Sequence, residues 1–352
     1  MNIDILLNEA IYLLKNIIEI PSFSREEDKV SLFLSNYILS KGLSIDKIGN
    51  NILILNKERY KTEPTILLNS HIDTVHPVKT WTNNPFKAEV KNDRIYGLGS
   101  NDAGASLVTL LLTAIYLYPT TSYNLAFCAS AEEEISGKNG IAKVLEKYPY
   151  FDLAIVGEPT EMQPAVAEKG LMVLDGVAMG KAGHAARNEG INAIYTAFED
   201  IKWFKEYKFN KISPFLGTVN MNVTQINAGT QHNVIPDMCQ YVVDVRGNGC
   251  YSNQEIVNII KNNISSTITP RSTRLNSSHL DTNHPFYHHL IQHGFTPFGS
   301  PTLSDQALMP FPSIKIGPGH SSRSHTANEY IYIKELEDAL IKYRLILKEF
   351  HF

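Results

Sequence analysis

The chain has 352 residues, 43% of them hydrophobic, which is enough for one large domain or two ordinary domains with buried cores. Its 32 basic and 36 acidic side chains give a formal net charge of -4, so it lacks the basic surface that binds nucleic acid or an anionic membrane. The three cysteines, Cys128, Cys239 and Cys250, are odd in number and have no CxxC spacing, which argues against a disulfide framework or thiolate zinc site and favours a reducing cytoplasm.

The N-terminal segment is predicted to form an amphipathic helix that stops near Pro21. Asp4 and Glu9 interrupt its apolar pattern, and it lacks the basic start and small-residue cleavage site of a signal peptide. The uncharged tract at residues 103–131 has only about 14 continuously apolar residues, fewer than the ~20 that a membrane span needs. We therefore predict a buried helix followed by a buried strand in this tract, and no membrane partner.

Strand-like and helix-like segments alternate through the first half of the chain. Strands are predicted at residues 51–56, 65–75, 123–131 and 151–160, and helices at 105–117 and 140–148. This alternation is typical of an α/β domain in which helices cover both faces of a mostly parallel sheet. In such domains, binding sites form at the carboxyl ends of the strands.

The pattern changes after about Val173. It runs through a strand at 171–180, a helix at 191–207, strands at 218–229 and 239–247, and a helix at 253–264. We interpret this part as a ferredoxin-like sandwich of β-α-β-β-α-β order, followed by a polar return linker at 265–285 and a helix at 284–294. The predicted plan is an α/β domain of residues 1–173 and 283–352, interrupted by an inserted domain of residues 174–282.

Metal-ligand side chains recur where the strands of the first domain end. They are His71, Asp73, Asp102, Glu132, Glu133, Glu134 and Glu158. Each has an ordinary alternative: the HxD pair could be a solvated turn, the aspartate of GLGSNDAG could close a loop, and the last glutamate could act as a cap before a proline. Four such positions at successive strand ends, however, are expected to meet at one edge of the sheet.

Carboxylates that converge need a cation, because unpaired they repel and raise one another's pKa. Two histidines with aspartate and glutamate suit zinc, manganese or cobalt. We expect the second histidine to be His325 in SSRSHTANEY, with His320 as the nearby alternative. His71 and Asp73 project to the same side of an extended strand, so the Asp73 carboxylate could take the second imidazole N–H and fix the tautomer. A further histidine cluster is interpreted mainly as solvated surface, and comprises His279, His284, His288, His289 and His293.

An ordered series of motifs resembles the dinuclear zinc aminoacylase and carboxypeptidase family (M20-type), which also contains acetylornithine deacetylase and succinyl-diaminopimelate desuccinylase. The motifs span nearly the whole chain and read SHIDTV, GLGSNDAG, SAEEEISGKNG, VGEPT, GKAGHAARNEGINAI, NAGTQHNVIPD, VDVRG, SPTLSDQA and SHTANEY. The resemblance implies a zinc-exopeptidase-like catalytic domain, and an inserted lid domain through which subunits commonly pair as homodimers.

The resemblance also implies two divalent metal ions, most readily zinc, with cobalt or manganese as alternatives. Asp102 corresponds to the carboxylate that bridges the two ions. His71 and Glu158 complete the first site by this correspondence, and Glu134 and His325 complete the second.

The remaining catalytic roles follow from the same resemblance. Glu133 corresponds to the general base, and Asp73 to the carboxylate that holds the ligand histidine. His184 corresponds to a histidine that stabilises the oxyanion, in dimeric members from the neighbouring subunit. Glu132 stands where the family usually has an aspartate and is expected to support its loop by hydrogen bonds, although a register one residue earlier stays open. A second departure is the turn at 103–105, where many members have a lysine.

Asn233 and Arg246 resemble positions that contact substrate, the arginine as a bidentate partner of a carboxylate. Ser304 and Asp305 are expected near the same pocket. An anionic acyl group would need a further cation, for which the candidates are Lys169, Lys181, Arg187 and Arg323.

The series of motifs looks closest to the acylornithine deacetylases of arginine biosynthesis, which remove an acetyl or succinyl group from the α-amino nitrogen. The substrate would therefore be a small N-acyl amino acid. The alternatives are succinyl-diaminopimelate desuccinylation, cleavage of a dipeptide, or a non-catalytic binding protein. Lost metal positions would favour the last alternative, and none is lost.

Overall fold

The computed structural model describes residues 2–118, 120–187 and 189–352 and divides into two units. The first unit comprises Met1–Val166, His279–Phe298 and Ser304–Phe352, and the second comprises Ala167–Ser278 and Gly299–Leu303. The domain boundaries predicted at residues 174 and 282 lie a few residues C-terminal to the observed boundaries, which follow Val166 and precede His279. The reason at the first boundary is that a single strand from Leu171 to Met179 pairs along its length within the second unit.

The bounds of the elements are as follows. The helices are α1 (Ile3–Ile18), α2 (Asp28–Ser40), α3 (Lys57–Tyr60), α4 (Ala105–Leu117), α5 (Ile141–Lys147), α6 (Ala193–Glu206), α7 (Asn253–Lys261), α8 (Pro285–Gln292) and α9 (Ile333–Lys348). The strands are β1 (Asp46–Ile48), β2 (Asn51–Ile54), β3 (Thr65–His71), β4 (Glu89–Lys91), β5 (Arg94–Tyr96), β6 (Asn124–Ser130), β7 (Leu153–Val156), β8 (Ala165–Glu168), β9 (Leu171–Met179), β10 (Gly183–His184), β11 (Asn220–Ala228), β12 (Val234–Ile235), β13 (Met238–Arg246), β14 (Thr267–Pro270), β15 (Ser278–His279), β16 (Phe298–Ser300), β17 (Ser313–Lys315) and β18 (Tyr330–Tyr332).

The first unit is built on a mixed sheet whose centre is parallel, so the predicted α/β class is confirmed. Its strands run in the order β1-β2-β6-β3-β7-β17, with parallel pairing from β6 through β17. The register places His71, the last residue of β3, opposite Ser130, the last residue of β6. The polar residues that follow these two strands therefore start from the same edge of the sheet.

Helices cover both faces of this sheet. Helix α4 is buried along nearly its whole length, between β3 and β6 on one side and α1 and α9 on the other. This location explains why it is apolar all round rather than amphipathic. On the other face, Ile141 and Val144 of α5 pack with Leu67 and Cys128 of the sheet. Within the residue ranges given above, none of the helices combines the length and the apolar composition that a membrane span requires.

The second unit has the expected β-α-β-β-α-β order, with a fully antiparallel sheet ordered β11-β13-β9-β14. Its fourth strand, β14, lies inside the tract 265–285, so the prediction of a plain linker there was wrong. β14 is a short edge strand of alternating burial that ends in a proline, which an edge strand tolerates. Gly176 of β9 is required by packing, because a Cβ there would lie 2.4 Å from the ring of Tyr241.

Candidate metal centre

His71 and Asp73 are both buried where β3 ends. The Nδ1 atom of His71 lies 2.8 Å from the backbone carbonyl oxygen of Asp73 and 3.5 Å from its carboxylate. The imidazole N–H is therefore donated mainly to the carbonyl, whereas the sequence predicted the carboxylate as its partner. Either acceptor fixes the same tautomer and leaves Nε2 of His71 free to bind a cation.

The Asp73 carboxylate organises the turn that follows β6. Its two oxygens accept hydrogen bonds from the backbone N–H groups of Glu133, at 3.0 Å, and Glu134, at 3.2 Å. The hydroxyl of Ser24 donates to the same carboxylate at 2.7 Å. One buried aspartate thus connects the end of β3 to both glutamates of the neighbouring strand end.

Glu132 turns away from the centre. Its backbone has a φ of 53°, and its carboxylate accepts hydrogen bonds from the backbone N–H and side-chain amide of Asn139. It therefore closes its own loop, as expected for the first member of the triplet. This orientation leaves Glu133 and Glu134 to face the centre.

Asp102 lies in a tight turn that a remote glutamate stabilises. Glu329 is buried, and its carboxylate accepts hydrogen bonds from the backbone N–H groups of Gly99, Asn101 and Asp102. The side chain of Asn101 bonds the backbone N–H and carbonyl of His320 and the hydroxyl of Ser324. These bonds fasten the aspartate turn to the segment that carries His325.

Six side chains come together at this edge of the sheet, namely His71, Asp102, Glu133, Glu134, Glu158 and His325. Nε2 of His71 lies 3.3 Å from Asp102 Oδ1 and 3.7 Å from Glu158 Oε1. Nε2 of His325 lies 3.0 Å from Glu134 Oε2 and 3.6 Å from Asp102 Oδ2. Asp102 is therefore placed between the two histidines. His320, the alternative to His325, pairs instead with Glu161 at 3.2 Å.

The cluster has the composition and spacing of a metal site. The ligand atoms of His71, Asp102 and Glu134 all lie within 4.8 Å of one another, as do those of His71, Glu133 and Glu158. In the part of the chain that the structure describes, the buried Oε1 of Glu158 has no hydrogen-bond partner. A buried carboxylate oxygen without a donor is costly, and a bound cation would satisfy it. These residues therefore fit a divalent cation.

The pKa values of the centre reflect its excess of negative charge. Burial and the charge of Asp102 raise the pKa of Glu158 to about 8. Burial, with the charge of Glu158, raises the pKa of Glu133 well above its usual value. The hydrogen bond to Glu134 raises the pKa of His325 to about 9. The centre favours bound protons because the neighbouring positive groups, such as His71 and Lys315, do not fully offset its carboxylates, and a divalent cation would supply further positive charge.

Ser304 and Asp305 lie below the surface rather than on it. They are 2% and 4% exposed. The Ser304 hydroxyl caps the short helical turn that follows it, and Asp305 accepts a hydrogen bond from the Ser130 hydroxyl at the end of β6. Asp305 therefore lies close to the metal centre, where its charge adds to the rise in the pKa of Glu133, and a substrate contact by the two residues stays a prediction.

The other three predicted site residues lie in the second unit. His184 is exposed and pairs through β10 with β12, and the Asn233 carbonyl accepts a hydrogen bond from the Ala185 N–H. Nδ1 of His184 accepts a hydrogen bond from the Ala186 N–H, which leaves the proton on Nε2 and makes this atom a donor. Arg246 makes a bidentate pair with Asp244 of its own strand, with N···O distances of 2.8 and 3.1 Å.

Sequence reasoning missed Glu329 and Asn101, which support the Asp102 turn. Both stand inside motifs that the sequence singles out, GLGSNDAG and SHTANEY. Their signal was a polar side chain close in sequence to a ligand position, Asn101 directly before Asp102 and Glu329 four residues after His325. What the sequence does not show is that the two motifs meet, although they lie more than 200 residues apart.

The chain is similar to known proteins along most of its length. A model of the family described as peptidase family M20/M25/M40 matches residues 67–349. The chain is 26% identical to an acetylornithine deacetylase of Buchnera aphidicola, with 90% of this chain and 91% of that protein covered. It is also 26% identical to a succinyl-diaminopimelate desuccinylase of Orientia tsutsugamushi, with 72% of this chain and 71% of that protein covered.

Solved structures share the fold at lower sequence identity. A Bacillus subtilis protein described as a dinuclear metal-binding peptidase of the M20 family superposes with a TM-score of 0.74 at 18% identity. The comparison covers 98% of each chain, so both units of this chain have counterparts in that fold.

Proposed function

Because the chain belongs to peptidase family M20/M25/M40, a family of hydrolases that act on amide bonds, we propose that it removes an acetyl or succinyl group from an amino acid. The bond cleaved would be the linear amide at the α-amino nitrogen of ornithine or a related amino acid, in arginine biosynthesis. The similarity to an acetylornithine deacetylase over nine-tenths of both chains supports this substrate class. A cytoplasmic location suits the three free cysteines.

The arrangement of Glu133 is the observation that carries the proposal. Its backbone N–H is fixed by Asp73, and its carboxylate faces the same group of side chains as His71 and Glu158. No hydrogen bond described for residues 2–118, 120–187 and 189–352 uses this carboxylate. Glu133 is therefore held in place through its backbone while its side chain stays available for proton transfer.

We assign two divalent cations to the centre, most readily zinc, with cobalt or manganese as alternatives. His71, Asp102 and Glu158 would hold one ion, and Asp102, Glu134 and His325 the other. Asp102 lies between the two histidines, which suits a bridging ligand. When bound, such ions polarise the amide carbonyl and lower the pKa of water.

The residues of the chain perform the proton transfers. Amide resonance makes unassisted attack by water very slow, so the site must supply a base and stabilise an oxyanion. Glu133 takes a proton from the water that attacks the acyl carbon and later gives that proton to the departing amine. The Nε2–H of His184 is a donor of the kind that stabilises an oxyanion.

We propose that His184 acts from the neighbouring subunit of a homodimer formed through the second unit. This unit exposes large apolar side chains on α6, with Tyr195 72% and Phe198 60% exposed. β11 is an edge strand that also exposes Ile226, at 58%. Exposed apolar side chains beside an unprotected strand edge are typical of a subunit interface.

Substrate recognition is assigned to Asn233 and Arg246. Asp244 occupies the Nε and one terminal nitrogen of the Arg246 guanidinium, and thereby fixes its plane. The other terminal nitrogen remains to donate to a substrate carboxylate. Succinyl-diaminopimelate desuccinylation is the second candidate, because a desuccinylase is similar over 72% of the chain.

A hydrolysis panel tests the proposal. The metal-loaded enzyme is compared on N-acetylornithine, N-succinylornithine, N-acetylcitrulline and N-succinyl-diaminopimelate by kcat/KM, with the Glu133→Gln variant as the control for contaminating activity. We expect an ornithine or citrulline derivative to be preferred. A preference for N-succinyl-diaminopimelate would support the second candidate, and no hydrolysis of any of the four by metal-loaded protein would refute the proposed activity.

A further inference from the structure

His325 has an unusual backbone for a metal ligand. Its φ is 58°, in the left-handed region, which is unfavourable for a residue with a side chain. Its side chain is 54% exposed, so burial does little to hold the ring opposite Glu134. A strained and exposed residue keeps one conformation only where its neighbours in the chain are fixed.

Arg323, two residues earlier, is firmly anchored. Its guanidinium lies 4.7 Å from the ring centre of Tyr330 and 5.2 Å from that of Tyr332, within the range of cation–π attraction. The same guanidinium pairs with Glu335 at 2.7 Å, and both side chains of this ion pair are less than a quarter exposed. The sequence offered Arg323 as a candidate contact for an anionic acyl group. In the structure its guanidinium contacts Tyr330, Tyr332 and Glu335 instead.

The anchor is connected to His325 by a closed turn. The hydroxyl of Thr326 donates to the backbone carbonyl of Arg323 at 2.8 Å. This hydrogen bond joins the residues on either side of Ser324 and His325. Movement of Arg323 would therefore rotate the His325 backbone. The tyrosines themselves are fixed, because β18 pairs with β5 along its whole length.

We propose that Arg323 is a positioning residue for His325: by stacking on Tyr330 and Tyr332 and pairing with Glu335, it keeps the imidazole opposite Glu134. The inference rests on the proposed function in that His325 is taken as a ligand of the second metal ion. It adds a residue outside the ligand set that controls how tightly this ion is bound.

The chain offers a matched control in Arg94. Its guanidinium stacks on the same two rings, at 4.5 and 4.7 Å, and donates to the hydroxyl of Tyr332. Arg94 belongs to β5 and has no link to the 323–326 turn comparable with that of Arg323. Removing either arginine disturbs the tyrosines, but only the loss of Arg323 releases the His325 turn.

The test titrates metal-free wild type, Arg323→Met and Arg94→Met with Zn²⁺ alone in a calorimeter. We expect wild type to bind two equivalents, and Arg323→Met to bind the first normally and the second about 10- to 100-fold more weakly, as is usual for the loss of a group that orients a ligand. Arg94→Met should keep both affinities. Visible absorption of the Co²⁺ forms should show the loss of one histidine ligand in Arg323→Met only.

Three other outcomes would overturn the inference. Equal second affinities in wild type and Arg323→Met would remove the positioning role while leaving the two-ion centre of the proposed function intact. Equal weakening in both arginine variants would assign the effect to the tyrosines. A wild type that binds no second equivalent would contradict the two-ion centre itself. Should Arg323→Met fail to fold, Arg323→Lys replaces it in the test, because lysine keeps the charge opposite Glu335 but loses the planar stacking on the tyrosines. The affinity of Arg323→Lys for the second Zn²⁺ should also fall.

Discussion

Replacement of Asp73 tests whether one buried carboxylate organises the centre. The side chain is almost completely buried and accepts hydrogen bonds from three donors, the backbone N–H groups of Glu133 and Glu134 and the hydroxyl of Ser24. Asp73→Asn keeps the size of the side chain but offers one acceptor oxygen in place of two. At least one of the three donors must then lose its acceptor.

The cost follows from these contacts. A hydrogen bond to a charged group contributes about 1.5–3 kcal/mol, and a buried donor left unpaired costs about 1–3 kcal/mol. We therefore expect the metal-free Asp73→Asn protein to lose about 2–3 kcal/mol in its free energy of unfolding. Asp73→Ala leaves both backbone N–H groups unpaired and should lose about 3–5 kcal/mol.

The loss should depend on pH. Burial alone would raise the pKa of Asp73, but the adjacent His71 imidazole and the hydrogen bonds from the Ser24 hydroxyl and the Glu133 N–H lower it below its usual value. A carboxyl whose pKa is lower in the folded protein stabilises the fold above its unfolded pKa, about 4, and loses this effect as the pH falls through the folded pKa. The difference in unfolding free energy between wild type and Asp73→Asn should therefore be full at neutral pH and shrink below about pH 4.

Urea unfolding of the metal-free proteins, followed by circular dichroism, measures this difference, and metal titration measures its effect on the centre. Ser24→Ala is the matched control, because it removes a donor to the same carboxylate without touching the glutamate turn. It removes one hydrogen bond to a charged group, so it should cost about 1.5–3 kcal/mol, and it should leave metal affinity unchanged. An Asp73→Asn protein within about 0.5 kcal/mol of wild type, with normal metal affinity, would refute the reasoning.

Three further predictions follow from the centre. Glu133→Gln should abolish turnover but keep its metal, whereas Glu134→Gln should lose metal from one site; equal metal content and equal residual rates in the two variants would contradict the roles given to them. If His184 acts across a dimer, mixing an inactive His184 variant with inactive Glu133→Gln should restore activity in mixed dimers, and no recovery after verified subunit exchange would exclude that arrangement. Burial and the charge of Asp102 raise the pKa of Glu329 to about 8. The folded, metal-free protein therefore binds more protons than the unfolded chain between about pH 4.5 and 8, and its free energy of unfolding should fall as the pH rises through that window. Glu329→Gln should lack this part of the pH dependence in urea unfolding, and an unchanged profile would show that Glu329 does not cause it.

The elements of the first unit were accessible from sequence because their signals are local. Buried strands such as β3 and β6 are continuous apolar runs, and each ends in the polar residues that form the centre. The parallel pairing of neighbouring strands then brings His71 and the glutamate turn to one edge. Residue type and position along the chain were sufficient for this part.

The remaining features depend on contacts between distant segments. The pairing of Thr267–Pro270 with β9 gives an edge strand whose sequence is as polar as a linker, so its burial pattern is visible only in the folded unit. Glu329 was missed because its donors lie in a turn more than 200 residues earlier. The sequence points to the Asp73 carboxylate as the partner of the His71 N–H, and the backbone carbonyl is the nearer acceptor because the carboxylate also accepts from backbone N–H groups of the next strand end.

The discontinuous layout of the first unit has a consequence for synthesis on the ribosome. Strands β3, β6 and β7 leave the ribosome early, but β17 and α9, which complete and cover this unit, come after the second unit. Residues 167–278 can therefore form their antiparallel sheet while the first unit still exposes apolar surface. His325 lies in the same late segment, so a nascent chain cannot assemble the centre until residue 325 has left the ribosome. A chain that stopped between residues 278 and 325 would carry the inserted unit without a complete centre.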